Sequence, residues 1–177
     1  MIRLSKAAKE LNVGIANIVD FLCLKGFVID GRPNTKITSE MYELLQKEFS
    51  TYAEMKKQAL KINTWGRNIY VKIPVTNSKG IYMGKIIKEL SNQNIKLNIT
   101  AVYSSKQTAR ILKSINKKSK VIISIFAGRA GDTGKDPVPE FKKSIAMAKK
   151  FKNVEILWAS VREPYNYLQA KQLGCHI

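Results

Sequence analysis

The sequence predicts an α/β chain in two parts: a helical module over residues 1–49, then repeated strand–helix units over residues 50–177. Three observations carry this. Apolar runs rich in β-branched residues recur roughly 25 to 30 residues apart after Thr51, each followed by a helix-periodic stretch. Residues 1–49 show only short helical spacing. No glycine-rich phosphate loop follows the first strand, which disfavours a nucleotide-binding sheet. The unit length suits a (β/α) barrel or a doubly wound sheet.

Taken in order, Ser5 is expected to cap a first helix over Lys6–Leu11, which Gly14 ends. Ile15, Ile18, Val19 and Leu22 then repeat at helical spacing up to Gly26. Phe27–Ile29 reads as a brief extended piece, residues 31–34 as a turn, and Thr38 or Ser39 as the cap of a helix reaching Phe49. A separate amphipathic helix is expected over Tyr52–Ile62, followed by a turn at residues 65–68. Strands are predicted at Ile69–Ile73, Leu97–Val102, Val121–Phe126 and Val154–Ala159. Helices are predicted at Tyr82–Ser91, Lys106–Ile115, Val138–Phe151 and Tyr165–Leu173. Residues 174–177 read as the opening of one more strand. Strand–helix–strand repeats imply a parallel sheet with right-handed crossovers.

Composition bounds the function classes. Hydrophobic residues make up 45% of the 177 residues and aromatics 8%, enough for a packed core. No run approaches the ~18 apolar residues of a membrane span, and the first residues lack a signal-peptide apolar core. A cytoplasmic setting without membrane association is the resulting expectation. Cys23 and Cys175 have no metal-type spacing and are expected to be buried free thiols. A single histidine, His176, leaves little material for a histidine metal cluster or a Ser-His-Asp triad.

The net charge is +18, and it is uneven. Residues 1–50 hold seven Lys/Arg and six Asp/Glu, against 24 and 7 in the remainder. Such a field favours phosphorylated substrates or nucleic acid. The plainer reading is a lysine-rich composition spread over helix faces.

Lys72 is the residue with the most chemistry in it. Alternation puts Tyr70, Lys72 and Pro74 on one strand face and Val71 and Ile73 on the other. A lysine within a parallel strand needs a partner or a task. In an enclosed site its pKa would fall, exposing the neutral amine that attacks carbonyls. An exposed strand edge is the competing reading. Asn98 and Thr100 share a face, Ser124 breaks an apolar run, and Ser160 and Arg162 share parity just after the last strand. Polar groups thus recur near strand ends, where barrel sites assemble. Arg129 and Arg162, in loops after strands, have the planar donors that bind phosphate.

Four motifs, Asn68-Ile-Tyr-Val-Lys72-Ile-Pro, Lys96-Leu-Asn98-Ile-Thr100-Ala, Ser124-Ile-Phe-Ala-Gly128-Arg129 and Trp158-Ala-Ser160-Val-Arg162, together resemble the transaldolase family in order and spacing. The resemblance runs from about residue 51 to 177 and is closest to the short transaldolase-like proteins. It implies a TIM-type barrel, of which this chain carries about strands four to seven. It also implies a Schiff base between Lys72 and a ketose, with Asn98 and Thr100 lining the site and positioning water. Ser124 matches another lining position, and Arg129, Ser160 and Arg162 match the region that holds a sugar phosphate. No cofactor and no metal are implied.

Ile2-Arg-Leu-Ser-Lys-Ala-Ala-Lys-Glu-Leu-Asn-Val and Ile18-Val-Asp-Phe-Leu-Cys-Leu-Lys-Gly-Phe resemble the small N-terminal module of the bacterial translation initiation factor that recruits initiator tRNA. That factor's GTPase domain has no counterpart here.

A complete barrel of this family has eight strands, the first three carrying an aspartate, an asparagine and a glutamate that handle proton transfers. The chain supplies four strands and a stub, and Asp132, Asp136 and Glu163 are poor replacements. Impaired aldol transfer on a sugar phosphate or other small carbonyl compound is therefore expected, with oligomers forming through unpaired sheet edges. Two other readings stand beside it: a non-enzymatic RNA- or ribosome-associated protein, and an inactive chimeric fragment.

Overall fold

The structure, a computed structural model, describes residues 1–177 except Asn12 and Lys79, and the side chains of all described residues except Ser50 and Thr51. Its chain divides into two compact units, Met1–Leu60 and Lys61–Ile177.

The first unit contains β1 (Ile2–Arg3), α1 (Leu4–Glu10), α2 (Ile15–Leu24), β2 (Lys36–Ile37) and most of α3 (Ser39–Asn63). Helix α1 starts at Leu4 rather than after Ser5, because the N–H groups of Leu4 and Ser5 donate to Thr35 O (2.8 Å) and Pro33 O (2.9 Å). Those bonds satisfy donors that a side-chain cap would otherwise serve. Residues 27–29 form no strand. The chain leaves α2 through Gly26 at φ 88°, and the Phe27 N–H returns to Leu22 O at 3.0 Å, a helix-ending pattern that needs glycine. Instead β1 and β2 pair antiparallel, Ile2 with Ile37.

The two helices expected over residues 39–62 are one continuous α3, since no glycine or proline breaks the run and Ser-Thr at 50–51 costs only tenths of a kcal/mol, roughly. Leu4, Ala7, Ile18, Leu22, Ile37 and Leu45 are fully buried, with Phe21 and Phe49 edge-to-face at 5.3 Å. Cys23 is exposed rather than buried: Ile18 and Leu22 occupy the inward stripe of α2, and Cys23 lies one residue off it.

The second unit runs β3 (Val71–Pro74), α4 (Gly84–Asn92), β4 (Leu97–Val102), α5 (Ser105–Ser114), β5 (Val121–Phe126), α6 (Ala127–Gly131), α7 (Val138–Ala148), β6 (Val154–Ala159) and α8 (Tyr165–Leu173). The four strands form one parallel sheet in the order β3-β4-β5-β6. Three strands have the bounds their apolar runs predict. β3 starts two residues later than expected, and α4 starts at Gly84 because Tyr82 is used in an antiparallel bridge with Thr76. The short α6 was not anticipated. Past Gly174 at φ 70°, the tail turns back, and His176 pairs with β6: the Trp158 N–H donates to His176 O at 2.7 Å and the His176 N–H to Ile156 O at 2.9 Å. The expected further strand is present as this single parallel bridge.

Sequential strand order with right-handed crossovers lays the connecting helices on one face of the sheet. Val71, Ile73, Leu97, Ile99, Val121, Ile123, Ile156 and Trp158 point to that face and are buried. Phe141 of α7 is fully buried there and stacks on Trp158 at 4.6 Å. The capping box at Ser104 and Gln107 starts α5. Lys72, Asn98, Thr100, Ile122, Ser124 and Phe126 have the other parity and belong to the opposite face, the one a closed barrel would turn inward.

Candidate active site

In register, Lys72 pairs with Asn98 and Pro74 with Thr100, so Lys72 sits one strand, about 4.8 Å, from Asn98. On the next strand Ser124 is buried and its hydroxyl donates to Asn98 Oδ1 at 2.7 Å. That bond fixes the Asn98 amide plane, leaving its N–H groups on the same face as Lys72. The Thr100 hydroxyl, on that face as well, is buried and has no hydrogen-bond partner among the described residues. A buried, unpaired hydroxyl costs about 1–3 kcal/mol, and such atoms mark sites where a ligand or water belongs. Lys72 itself is exposed and makes no hydrogen bond or ion pair with a described residue, so the amine stands on an open face rather than in an enclosed pocket.

Of the three described non-glycine residues at positive φ, Asn94 precedes β4, while Ala101 and Ser160 lie toward the C-terminal ends of β4 and β6. Ala101 has φ 58° where the β4–β5 register shifts between Ile99 and Val102. Ser160 has φ 65° immediately after β6. Left-handed residues other than glycine cost on the order of 1–3 kcal/mol and cluster at functional sites.

The arginines lie on a second feature, a cleft of about 910 Å³ at the C-terminal ends of β5 and β6. It is lined by Tyr103, Phe126, Arg129, Lys135, Glu140 and Arg162, among others. Arg129 stacks over the Phe126 ring at 4.8 Å, leaving its edge for an anion. Arg162 is engaged: it grips Asp132 through two parallel bonds, Nε to Oδ1 at 3.1 Å and Nη2 to Oδ2 at 2.5 Å. The hydrogen bond from Arg162 holds the Asp132 carboxyl below its ordinary pKa, so Asp132 stays ionised and is a weak proton donor. Lys72, Asn98, Thr100, Ser124 and Ser160 are not among the residues lining this cleft.

Two supporting residues escaped the sequence reading. Buried Asn166 accepts the backbone N–H groups of Arg162 (2.9 Å) and Glu163 (3.4 Å), locking the loop before α8. Gly128 allows α6 to touch that loop, since a Cβ there would lie 1.9 Å from Ser160 O. The proximity of Asn166 to Pro164 and a helix start could have flagged it as a loop tie. Gly128 stands in one of the four family motifs, but nothing in the linear sequence shows its approach to Ser160. Among the described residues no group of three or more His, Cys, Asp or Glu could hold a metal, and no helix is long and apolar enough to cross a membrane.

A four-stranded parallel sheet with helices on one face and Lys72, Asn98, Thr100 and Ser124 on the other defines an α/β protein and is consistent with a partial TIM-type fold. The model of the Transaldolase/Fructose-6-phosphate aldolase family matches residues 17–177. The chain belongs to that family. It is 29% identical over 156 residues to the "Probable transaldolase" of Clostridium kluyveri, a match covering 84% of this chain and 68% of that protein. With the "Probable transaldolase" of Dehalococcoides mccartyi it shares 32% identity over 126 residues, 71% of this chain and 55% of that one. A segment is also similar to "Translation initiation factor IF-2" of Bacteroides fragilis, 58% identical over 50 residues, 28% of this chain but 5% of the factor. The chain thus spans about half to two thirds of these transaldolase relatives and a small fraction of the initiation factor.

Proposed function

We propose that the chain is an aldolase-type Schiff-base protein in which the Lys72 amine attacks the carbonyl carbon of a ketose phosphate. The carbonyl oxygen leaves as water, giving a protonated imine whose positive nitrogen draws electrons when the bond between the α and β carbons breaks and the β-hydroxyl gives up its proton. The aldehyde departs and the dihydroxyacetone unit remains as an enamine on Lys72. The observation that carries this reading is the constellation on one sheet face: exposed Lys72, Asn98 oriented by Ser124, and the unpartnered Thr100 hydroxyl. Thr100 and Asn98 are assigned to hold the water that later hydrolyses the imine. Arg129 and Ser160 are assigned to the phosphate, with Arg162 joining once it releases Asp132.

Proton transfer is the weak link. The cleavage step needs a base for the departing hydroxyl proton, and Asp132 is committed to Arg162. We therefore assign imine formation, with impaired turnover, to this chain. Residues 1–49 are taken as a separate initiation-factor-like module and residues 50–177 as the aldolase portion. The unpaired edge of β3 makes a homo-oligomer the route by which the sheet gains neighbours. A metabolic family of this kind supports a cytoplasmic site of action.

Borohydride trapping with fructose 6-phosphate and with dihydroxyacetone, read by intact mass, tests the reading. A covalent adduct is expected on the parent and none on Lys72→Ala. A folded parent that traps nothing sinks the proposal.

A further inference from the structure

The opposite end of the sheet carries a feature that the aldolase reading does not use. The loops entering β4, β5 and β6, residues 92–96, 116–120 and 149–153, hold seven lysines: Lys96, Lys117, Lys118, Lys120, Lys149, Lys150 and Lys152. They hold no acidic residue; Glu155, just inside β6, is the nearest in sequence. Five of these lysines line one open cavity of about 540 Å³ together with Tyr70, Phe151 and Glu155. None of the five makes an ion pair with a described residue. Like charges gathered this way repel, and the arrangement persists only because the loops are tied down.

The ties are side-chain hydrogen bonds between the loops themselves. Asn153 Nδ2 donates to Asn116 O (3.1 Å) and Ser119 O (2.6 Å), joining the β5 and β6 entries. The buried Ser119 hydroxyl donates to Ile95 O at 2.6 Å, joining the β4 and β5 entries. The Asn116 N–H reaches Ser91 Oγ at 2.6 Å, and its side chain reaches Asn92 Oδ1 at 3.2 Å. The lysines therefore project from a preformed frame rather than from mobile loops. At about 4.8 Å per strand, the row from Tyr70 at β3 to the β6 entry spans roughly 14 Å, longer than one phosphate group. Half-buried Tyr70 and Phe151 add two rings within the same cavity. A row of cations with aromatic rings in the same groove is the arrangement that tracks a single-stranded backbone and stacks its bases, and the Tyr70 ring already carries Lys96 Nζ at 5.7 Å.

We propose that this end of the sheet is a binding site for single-stranded RNA, held through its phosphates by Lys117, Lys118, Lys120, Lys150 and Lys152. The sequence alone shows only scattered lysines; convergence, ties and rings come from the fold. The site is separate from Lys72 chemistry and stands or falls without it.

The test is fluorescence anisotropy of a labelled oligouridylate with the full chain, across a salt series. The pocket variant changes Lys117, Lys118, Lys150 and Lys152 to Gln. A charge-matched control changes Lys88, Lys113, Lys142 and Lys171 to Gln. Each phosphate contact contributes ~0.7 to the slope of log affinity against log salt, so the pocket variant should lower that slope by roughly two to three and weaken binding by about tenfold or more. The control should stay near the parent. Lysine acetylation footprinting of the parent with and without RNA gives a second readout, with protection expected at the five cavity lysines. Equal losses in the two variants, protection spread over all lysines, or no RNA binding by the parent would each overturn the proposal. Inorganic tripolyphosphate binding in place of RNA would overturn it too, assigning the cavity to a small polyphosphate.

Discussion

Gly128 offers the most direct test of how the loop before α8 is held. It lies in the first turn of α6, and a methyl group added to it would sit 1.9 Å from Ser160 O, 2.9 Å from Arg162 Cγ and 3.1 Å from Ser160 C. The first and third contacts are backbone. Ser160 already occupies a left-handed conformation at φ 65°, and the following Arg162 N–H is pinned by Asn166. The segment therefore has little freedom to yield, and relieving the contact means moving one backbone element by more than an ångström. Overpacking of this kind costs typically 1–3 kcal/mol, and the constrained loop argues for the upper half of that range.

Gly128→Ala should therefore lower the stability of the 61–177 unit by about 2–3 kcal/mol, a fall in melting temperature of roughly 8 °C or more. Gly131→Ala, in the same short helix, meets nothing within 4 Å. It should be neutral or stabilising by up to about 1 kcal/mol, since alanine is the better helix former. Thermal and urea unfolding followed by the signal of buried Trp158 would measure both. Equal stabilities for the two variants would refute the close approach of α6 to the Ser160 segment.

Other outcomes follow from the packing and charge. Phe141→Ala removes a fully buried ring stacked on Trp158 and should cost about 3–5 kcal/mol, seen as a lower urea midpoint with a red shift of the tryptophan emission. Glu140 of α7 accepts the Ser105 N–H at the start of α5, and that bond holds its pKa below the ordinary 4.5. A folded pKa below the unfolded one means its stabilisation is present above pH 4.5 and fades as pH falls through the lower folded value. Glu140→Gln should flatten the acid side of the stability–pH curve below 4.5, and an unchanged curve in urea melts at stepped pH would contradict this.

The strands β4, β5 and β6 were legible to the residue because a buried strand needs an apolar run of its own length, and the turns bounding each run are local. Which side chains within one strand share a face, Lys72 with Tyr70 and Asn98 with Thr100, was legible for the same reason, since alternation along a strand is fixed by the pleat; that these and Ser124 share one face of the sheet came from the strand register. The likeness of four short motifs to one family was likewise present in the linear order of residues, and the match over residues 17–177 agrees with it. Where local signals compete, the sequence misled. Ser50-Thr51 suggested a break that α3 does not make, and Ser5 suggested a cap that Thr35 and Pro33 carbonyls render unnecessary.

What only the tertiary structure decided are meetings between residues far apart in the chain. Ser124 reaches Asn98, Arg162 clasps Asp132, Gly128 admits Ser160, and three lysine-bearing loops are tied into one basic rim. Each depends on strand register and on the close approach of two backbones. Periodicity tells a side chain which face it occupies; it says nothing of which neighbour the close-packed fold will bring against it.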